Sequence, residues 1–110
     1  MPPVLPMSRG PEAQLQAQVI ELAALQGWLV HAERPAMRAD GSWRTAIQGM
    51  AGFVDIVLVR GDRLLFCELK SALGRVTPEQ QVWHAALRAA GCDVRLWRPA
   101  DWPEIEAALA

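Results

Sequence analysis

Two runs rich in β-branched and large apolar residues, Phe53–Arg60 and Arg63–Lys70, are separated only by Gly61 and Asp62. A loop that short joins antiparallel strands in a tight hairpin and sets their register outward from the turn. Pairing Arg60 with Arg63 and counting back sets Asp55 directly opposite Glu68, and the strand period puts Lys70 on the same face. Opposed side chains have Cβ atoms about 5 Å apart, where like charges destabilise a sheet unless something neutralises them. The rest of that face is Phe53, Val57, Val59, Leu64 and Phe66, and the other face is the apolar set Val54, Ile56, Leu58, Leu65, Cys67 and Leu69. Three charges therefore gather at one end of an otherwise apolar hairpin.

The flanking sequence supplies what such a hairpin packs against. Met1 to Gly10 holds three prolines and little pattern, and is expected to be a flexible leader to a single domain over 11–110. From Glu12 to Gln26, Leu15, Val19 and Leu22 recur at helical spacing, Pro11 suits the first turn and Gly27 the stop. Trp28 to Ala32 reads as a short strand, whereas Pro35 to Ala51 shows no clear period. Thr77 and Pro78 open a second helix with Trp83, Leu87 and Ala90 as its apolar stripe and Gly91 as its end. Val94 to Trp97 is a further strand, and Asp101 is expected to cap a last helix with Glu104 three residues on. The order is αβββαβ with an extra C-terminal helix, an α/β class. The helix between the third and fourth strands makes those strands parallel, and hence the sheet mixed. Because both hairpin faces are largely apolar, helices are expected to cover each side.

Composition narrows the setting. The 110 residues suffice for one core. No apolar run nears the roughly 20 residues that cross a bilayer, and the start lacks a secretory signal, so a cytoplasmic protein without membrane contact is expected. Cys67 and Cys92 have no neighbouring His or Cys at ligand spacing, which favours buried thiols over a zinc site. A net charge of −1 argues against a general nucleic-acid coating protein. It leaves room for a carboxylate-built metal site, whose bound cation reverses the local sign. Of the 11 basic residues only Lys70 is a lysine.

Magnesium takes hard oxygen ligands, keeps several waters and is commonly held by one or two carboxylates with substrate phosphate. Asp55 and Glu68 meet that need, and the carbonyl of Leu69, between Glu68 and Lys70, offers a further ligand. Lys70 would then stand where its ammonium positions a water or stabilises charge on phosphate.

The runs Gly52-Phe53-Val54-Asp55, Leu65-Phe66-Cys67-Glu68-Leu69-Lys70 and Thr77-Pro78-Glu79-Gln80-Gln81-Val82-Trp83 resemble the VRR-NUC branch of the PD-(D/E)XK nucleases. The αβββαβ order is similar to that superfamily's restriction endonuclease-like core, and Val54 stands where many members have proline. The resemblance implies a magnesium- or manganese-dependent (Mg2+ or Mn2+) phosphodiesterase acting on DNA, selective for junctions or branches and working as a homodimer. It further implies a helical acidic residue and a glutamine beside the central trio. Glu12 matches the first: it leads the stripe of Leu15 and Val19, whereas Glu21 shares a side with Gln14 and Gln18. Its structural rival is a first-turn carboxylate favoured by the helix dipole. Gln80 matches the second, although with Thr77 it also makes a capping box, and Gln81 is the alternative.

For DNA contacts, Trp43 lies between Arg38 and Arg44, a setting for base stacking beside phosphate-binding guanidiniums or for a subunit interface. Arg34 and Arg75 flank the trio as further phosphate contacts. His31 and His84 have no catalytic or ligand-spaced partner in sequence and read as surface or core residues; Trp28, Trp83 and Trp97 read as core. The rival function is a non-catalytic module that binds a DNA structure or a partner protein on the same fold. An enzyme for phosphorylated small molecules is disfavoured by the lack of a glycine-rich phosphate loop.

Overall fold

The computed structural model describes residues 10–33, 36–37, 43–44 and 47–110, with 36–37 and 43–44 described through their backbone alone. Helix α1 (Gly10–Leu25) leads to strand β1 (Leu29–Ala32). Two-residue strands β2 (Ala36–Met37) and β3 (Trp43–Arg44) pair with each other. The hairpin follows as β4 (Ile56–Arg60) and β5 (Arg63–Leu69), then α2 (Pro78–Ala89), β6 (Asp93–Trp97), a 3-10 turn over Pro99–Asp101 and α3 (Trp102–Leu109). The larger sheet has the order β1-β4-β5-β6, antiparallel except where β6 runs parallel to β5. The protein is thus α/β with a mixed four-stranded sheet between helices. Among the described residues no helix is long and apolar enough to cross a membrane.

The hairpin turns where the sequence places it. Gly61 has φ +62°, whereas no non-glycine among the described residues, Asp62 included, has positive φ, which is the II′ pattern with glycine at the first central position. Arg60 faces Arg63 and the rungs continue to Ile56↔Cys67. There the ladder stops, three residues short of the strand start expected at Phe53.

One sheet face, Ile56, Leu58, Leu65, Cys67 and Leu69, is closed by Leu15, Val19 and Ala23 of α1 and by Ile105, Ala108 and Leu109 of α3. Trp28 and Trp97 are buried in the same core, as the sequence suggests. Fully burying a large aliphatic side chain contributes roughly 1.5–3 kcal/mol, so this face supplies most of the cohesion. Arg60 adds a tie across it, donating to the carbonyls of Gln26 at 2.8 Å and Ala110 at 2.7 Å.

The second face departs from expectation. Helix α2 covers only the end that carries Phe66 and Glu68, through a Phe53–Trp83 edge contact with ring centroids 5.0 Å apart and a Phe53–Phe66 contact at 6.1 Å. At the other end the row Leu29, Val59, Leu64 is open, with Leu29 75% exposed. The buried residue of α2 is His84, and Ala90 is an exposed cap residue rather than part of an apolar stripe.

Other boundaries also shift. Gly10, expected in the leader, belongs to α1; the rest of that leader, 1–9, lies outside the described residues. Asp101 does not cap α3. It accepts instead from the Arg98 amide at 2.8 Å, and Glu104 takes the indole N–H of Trp97 at 2.8 Å. Of the cysteines, Cys67 is buried and Cys92 only half-buried, and both are free thiols.

Candidate functional site

Beyond Ile56 the chain leaves the ladder's register. The amide of Asp55 donates to the Cys67 carbonyl at 3.1 Å, although Cys67 is already paired with Ile56. Two residues thus oppose one, the arrangement of a β-bulge. Asp55 is therefore not the rung partner of Glu68, contrary to the count from the turn. The bulge does not separate the two carboxyls. The amide of Leu69, on the β4 side of β5 beyond the last rung, donates to Asp55 Oδ2 at 2.7 Å, and the Asp55 carboxyl is near enough to Glu68 to raise it. A strand residue's N–H and C=O point the same way, so the Leu69 carbonyl also faces the Asp55 side.

Glu68 is wholly buried. Its Oε2 accepts from Gln80 Nε2 at 3.1 Å and its Oε1 lies 3.2 Å from His84 Nε2. Burial, then the hydrogen bond and charge of Asp55, push its carboxyl up to about 9, with Lys70 opposing. A neighbouring acid disfavours the charged form, so Asp55 adds to burial in favouring the protonated form of Glu68.

Lys70 stands one residue past the end of β5, only 7% exposed, its amide bonded to the Trp97 carbonyl at 3.0 Å. Glu12 arrives from the first turn of α1. Burial raises its carboxyl, Lys70 opposes that shift and Asp55 adds to it. The helix-phase choice of Glu12 over the exposed Glu21 is the one the fold makes.

Gln80 makes the capping box and also reaches Glu68. Its Oε1 accepts from the Thr77 amide at 2.9 Å while Thr77 Oγ1 accepts from the Gln80 amide at 3.2 Å, a complete capping box. The remaining Nε2 reaches Glu68. Gln81 is exposed on the helix.

Helix α2 is seated by close contacts to the segment that leads to Asp55. Gly52 has φ +98°, and a Cβ there would lie 2.7 Å from the Glu79 carbonyl carbon and 2.9 Å from the Gln80 amide. No other residue fits both the angle and the space. The Trp83 indole donates to the carbonyls of Met50 and Ala51, each at 3.1 Å. On the opposite side, Arg98 donates to the carbonyls of Ser71 and Gly74, each at 2.7 Å, and so holds the turn that follows Lys70.

The structure brings together Glu12, Asp55, Glu68, Leu69, Lys70 and Gln80. Arg75 is exposed between Lys70 and α2, outside this cluster. Arg34 and Arg38 lie outside the described residues, and Trp43 and Arg44 are described only as backbone partners of Met37 and Ala36. The residue that sequence reasoning missed is His84. Its one signal is a position one helical turn beyond Gln80, hence on the same face.

Among the described residues no three His, Cys, Asp or Glu side chains form a ready-made cation cage. The donor chemistry nonetheless suits a hard divalent ion. Asp55 and Glu68 offer carboxylate oxygens and Leu69 a carbonyl, and a cation among them would offset the repulsion by which Asp55 raises Glu68. No protein-family model, curated protein or solved structure matches the chain.

Proposed function

We propose that the chain is a magnesium- or manganese-dependent DNA nuclease of the PD-(D/E)XK type, hydrolysing phosphodiester bonds in the cytoplasm. The observation that carries this reading is the meeting of Asp55, Glu68 and Lys70 at the bulge, where the fold brings two carboxyls near each other and buries a lysine beside them. A structural role explains a buried salt bridge. It does not explain a second acid set beside a buried one, an arrangement that a metal centre uses. The resemblance of the Asp55, Glu68–Lys70 and Thr77–Trp83 runs to VRR-NUC nucleases supports the same conclusion, as does the αβββαβ order.

In this reading Asp55, Glu68 and the Leu69 carbonyl hold the ion, with Glu12 close enough to add charge. The ion would polarise the scissile phosphate and orient the attacking water. Lys70 contributes a fixed ammonium inside a water-poor site, where it stabilises charge developing on phosphate oxygens more strongly than it would in bulk water. Glu12, whose carboxyl Lys70 pulls down, sets a further acid against that ammonium. Gln80, locked at its carbonyl end by the capping box, keeps its Nε2 on Glu68. Arg34, Arg38, Trp43, Arg44 and Arg75 remain the DNA contacts in this reading, and a homodimer would present two such sites to a branched duplex.

The test incubates the pure protein with single-stranded, duplex, flapped and four-way-junction DNA in Mg2+ or Mn2+. Cleavage that stops with EDTA and in Lys70→Ala is expected. No cleavage of any substrate, or undiminished cleavage by Lys70→Ala, leaves the non-catalytic binding module as the better account.

A further inference from the structure

Helix α2 touches both carboxyl-bearing segments. This gives His84, to which sequence reasoning assigned no role, a place in the metal centre proposed above. We infer that His84 is a positioning residue: together with Gln80 it holds Glu68 by both carboxylate oxygens, aims that carboxylate at the ion, and sets how tightly the ion binds.

The geometry carries the inference in three steps. Gln80 and His84 are four residues apart and so share a helix face. One reaches Oε2 at 3.1 Å and the other Oε1 at 3.2 Å. With one donor on each oxygen, Glu68 cannot rotate, yet each oxygen keeps a lone pair for a cation.

Neither donor is free to leave. The Gln80 carboxamide cannot flip, because its Oε1 is held by the Thr77 amide at 2.9 Å and a flip would turn that oxygen toward the Glu68 carboxylate. His84 is 5% exposed, so little water competes for its Nε2. Once an ion has displaced the Glu68 proton, that nitrogen must carry the hydrogen, which selects one imidazole tautomer.

The third step concerns spacing. Because the ladder ends at Ile56↔Cys67, strand pairing does not determine where Asp55 lies relative to Glu68. Asp55 is tied to β5 by its amide on the Cys67 carbonyl and its carboxylate on the Leu69 amide, and helix α2 bears on both acids from one side. It meets the segment before Asp55 through the bare backbone of Gly52 and through Trp83, and it meets Glu68 through Gln80 and His84. Groups that orient a metal ligand from behind typically change metal affinity 10–100-fold when removed.

The experiment titrates Mn2+ into the full-length protein without DNA, reading free Mn2+ by electron paramagnetic resonance, for wild type, His84→Leu and His84→Gln. Leucine removes the donor and keeps apolar bulk, whereas glutamine returns an N–H near the place of Nε2. Binding about 10–100-fold weaker in His84→Leu and largely restored in His84→Gln is expected. Thermal unfolding of the metal-free proteins runs beside it, since a purely structural histidine would lower the melting temperature and leave affinity unchanged. Should His84→Leu not fold, the ring nitrogen shifts of wild-type His84 with saturating Mg2+ decide: hydrogen on Nε2 supports the inference and hydrogen on Nδ1 overturns it. Equal Mn2+ affinity in wild type and His84→Leu overturns the role of His84 alone. A wild type that binds no Mn2+ overturns the metal centre and this inference together. Mn2+ binding that depends on His84 without DNA cleavage overturns only the nuclease reading.

Discussion

The amide of Leu69 donates to Asp55 Oδ2 at 2.7 Å, in the place where a continuing β4 would have offered a backbone carbonyl. One carboxylate thus both closes the sheet end and faces the proposed ion. The two tasks separate by substitution. Asp55→Asn keeps a side-chain oxygen for Leu69 and should fold nearly as well as wild type while losing Mn2+ binding and cleavage. Asp55→Ala leaves the amide unpaired and should cost a further ~1–3 kcal/mol in urea unfolding. Equal stability of the two variants would show that the bond does not support the sheet end.

Gly52 and Gly61 both adopt positive φ but differ in their surroundings. A Cβ on Gly61 meets nothing within 4 Å, whereas one on Gly52 collides with Glu79 and Gln80. Gly61→Ala should cost on the order of 1 kcal/mol for the backbone angle alone. Gly52→Ala should cost more and should also depress cleavage, because the first turn of α2 must move. Matching losses of stability in the two variants would argue against a tightly seated helix.

The Glu68 carboxyl is raised from 4.5 to about 9, first by burial and then by Asp55. Between those values the folded chain keeps a proton that the unfolded chain has released. Folding is then coupled to proton uptake, and this group's contribution to metal-free stability falls as pH rises through that window. Wild type and Glu68→Gln should be compared by urea unfolding at about pH 5, 7 and 9, with the difference shifting toward the variant as pH increases. Saturating Mg2+, which replaces the proton, should flatten the wild-type curve. A difference independent of pH would contradict the assignment.

Arg98 holds the turn after Lys70 through the Ser71 and Gly74 carbonyls. Arg98→Ala should speed hydrogen exchange across residues 71–76 and lower cleavage by more than its effect on global stability accounts for. Unchanged exchange in that segment would mean the turn is held by other contacts.

Much of this was legible in the chain. The Gly61-Asp62 turn determines pairing as far as Ile56↔Cys67 because each rung is local to the one before it. The crossover through α2 makes β5 and β6 parallel because a connection of that length cannot be a hairpin. Helix phase was enough to choose Glu12. The bulge was not legible, since the contacts beside it run between Gly52 and a helix that begins 26 residues later in the chain. His84 was missed for a related reason. A polar residue on a helix acquires meaning only when the strand facing it carries a buried acid, and single-sequence periodicity does not report which residues face one another.

The bulge also bears on how such a site can change over generations. Substitutions within 47–54 can shift the segment that leads to Asp55 while the rungs from Ile56 to Arg60 stay paired, so the metal or substrate preference of the proposed site can drift with little loss of foldability. Val54, which is buried, and Gly52, which is pressed against α2, are the exceptions in that stretch. Variation among descendants of this chain should therefore concentrate on either side of Val54 and spare both Val54 and Gly52.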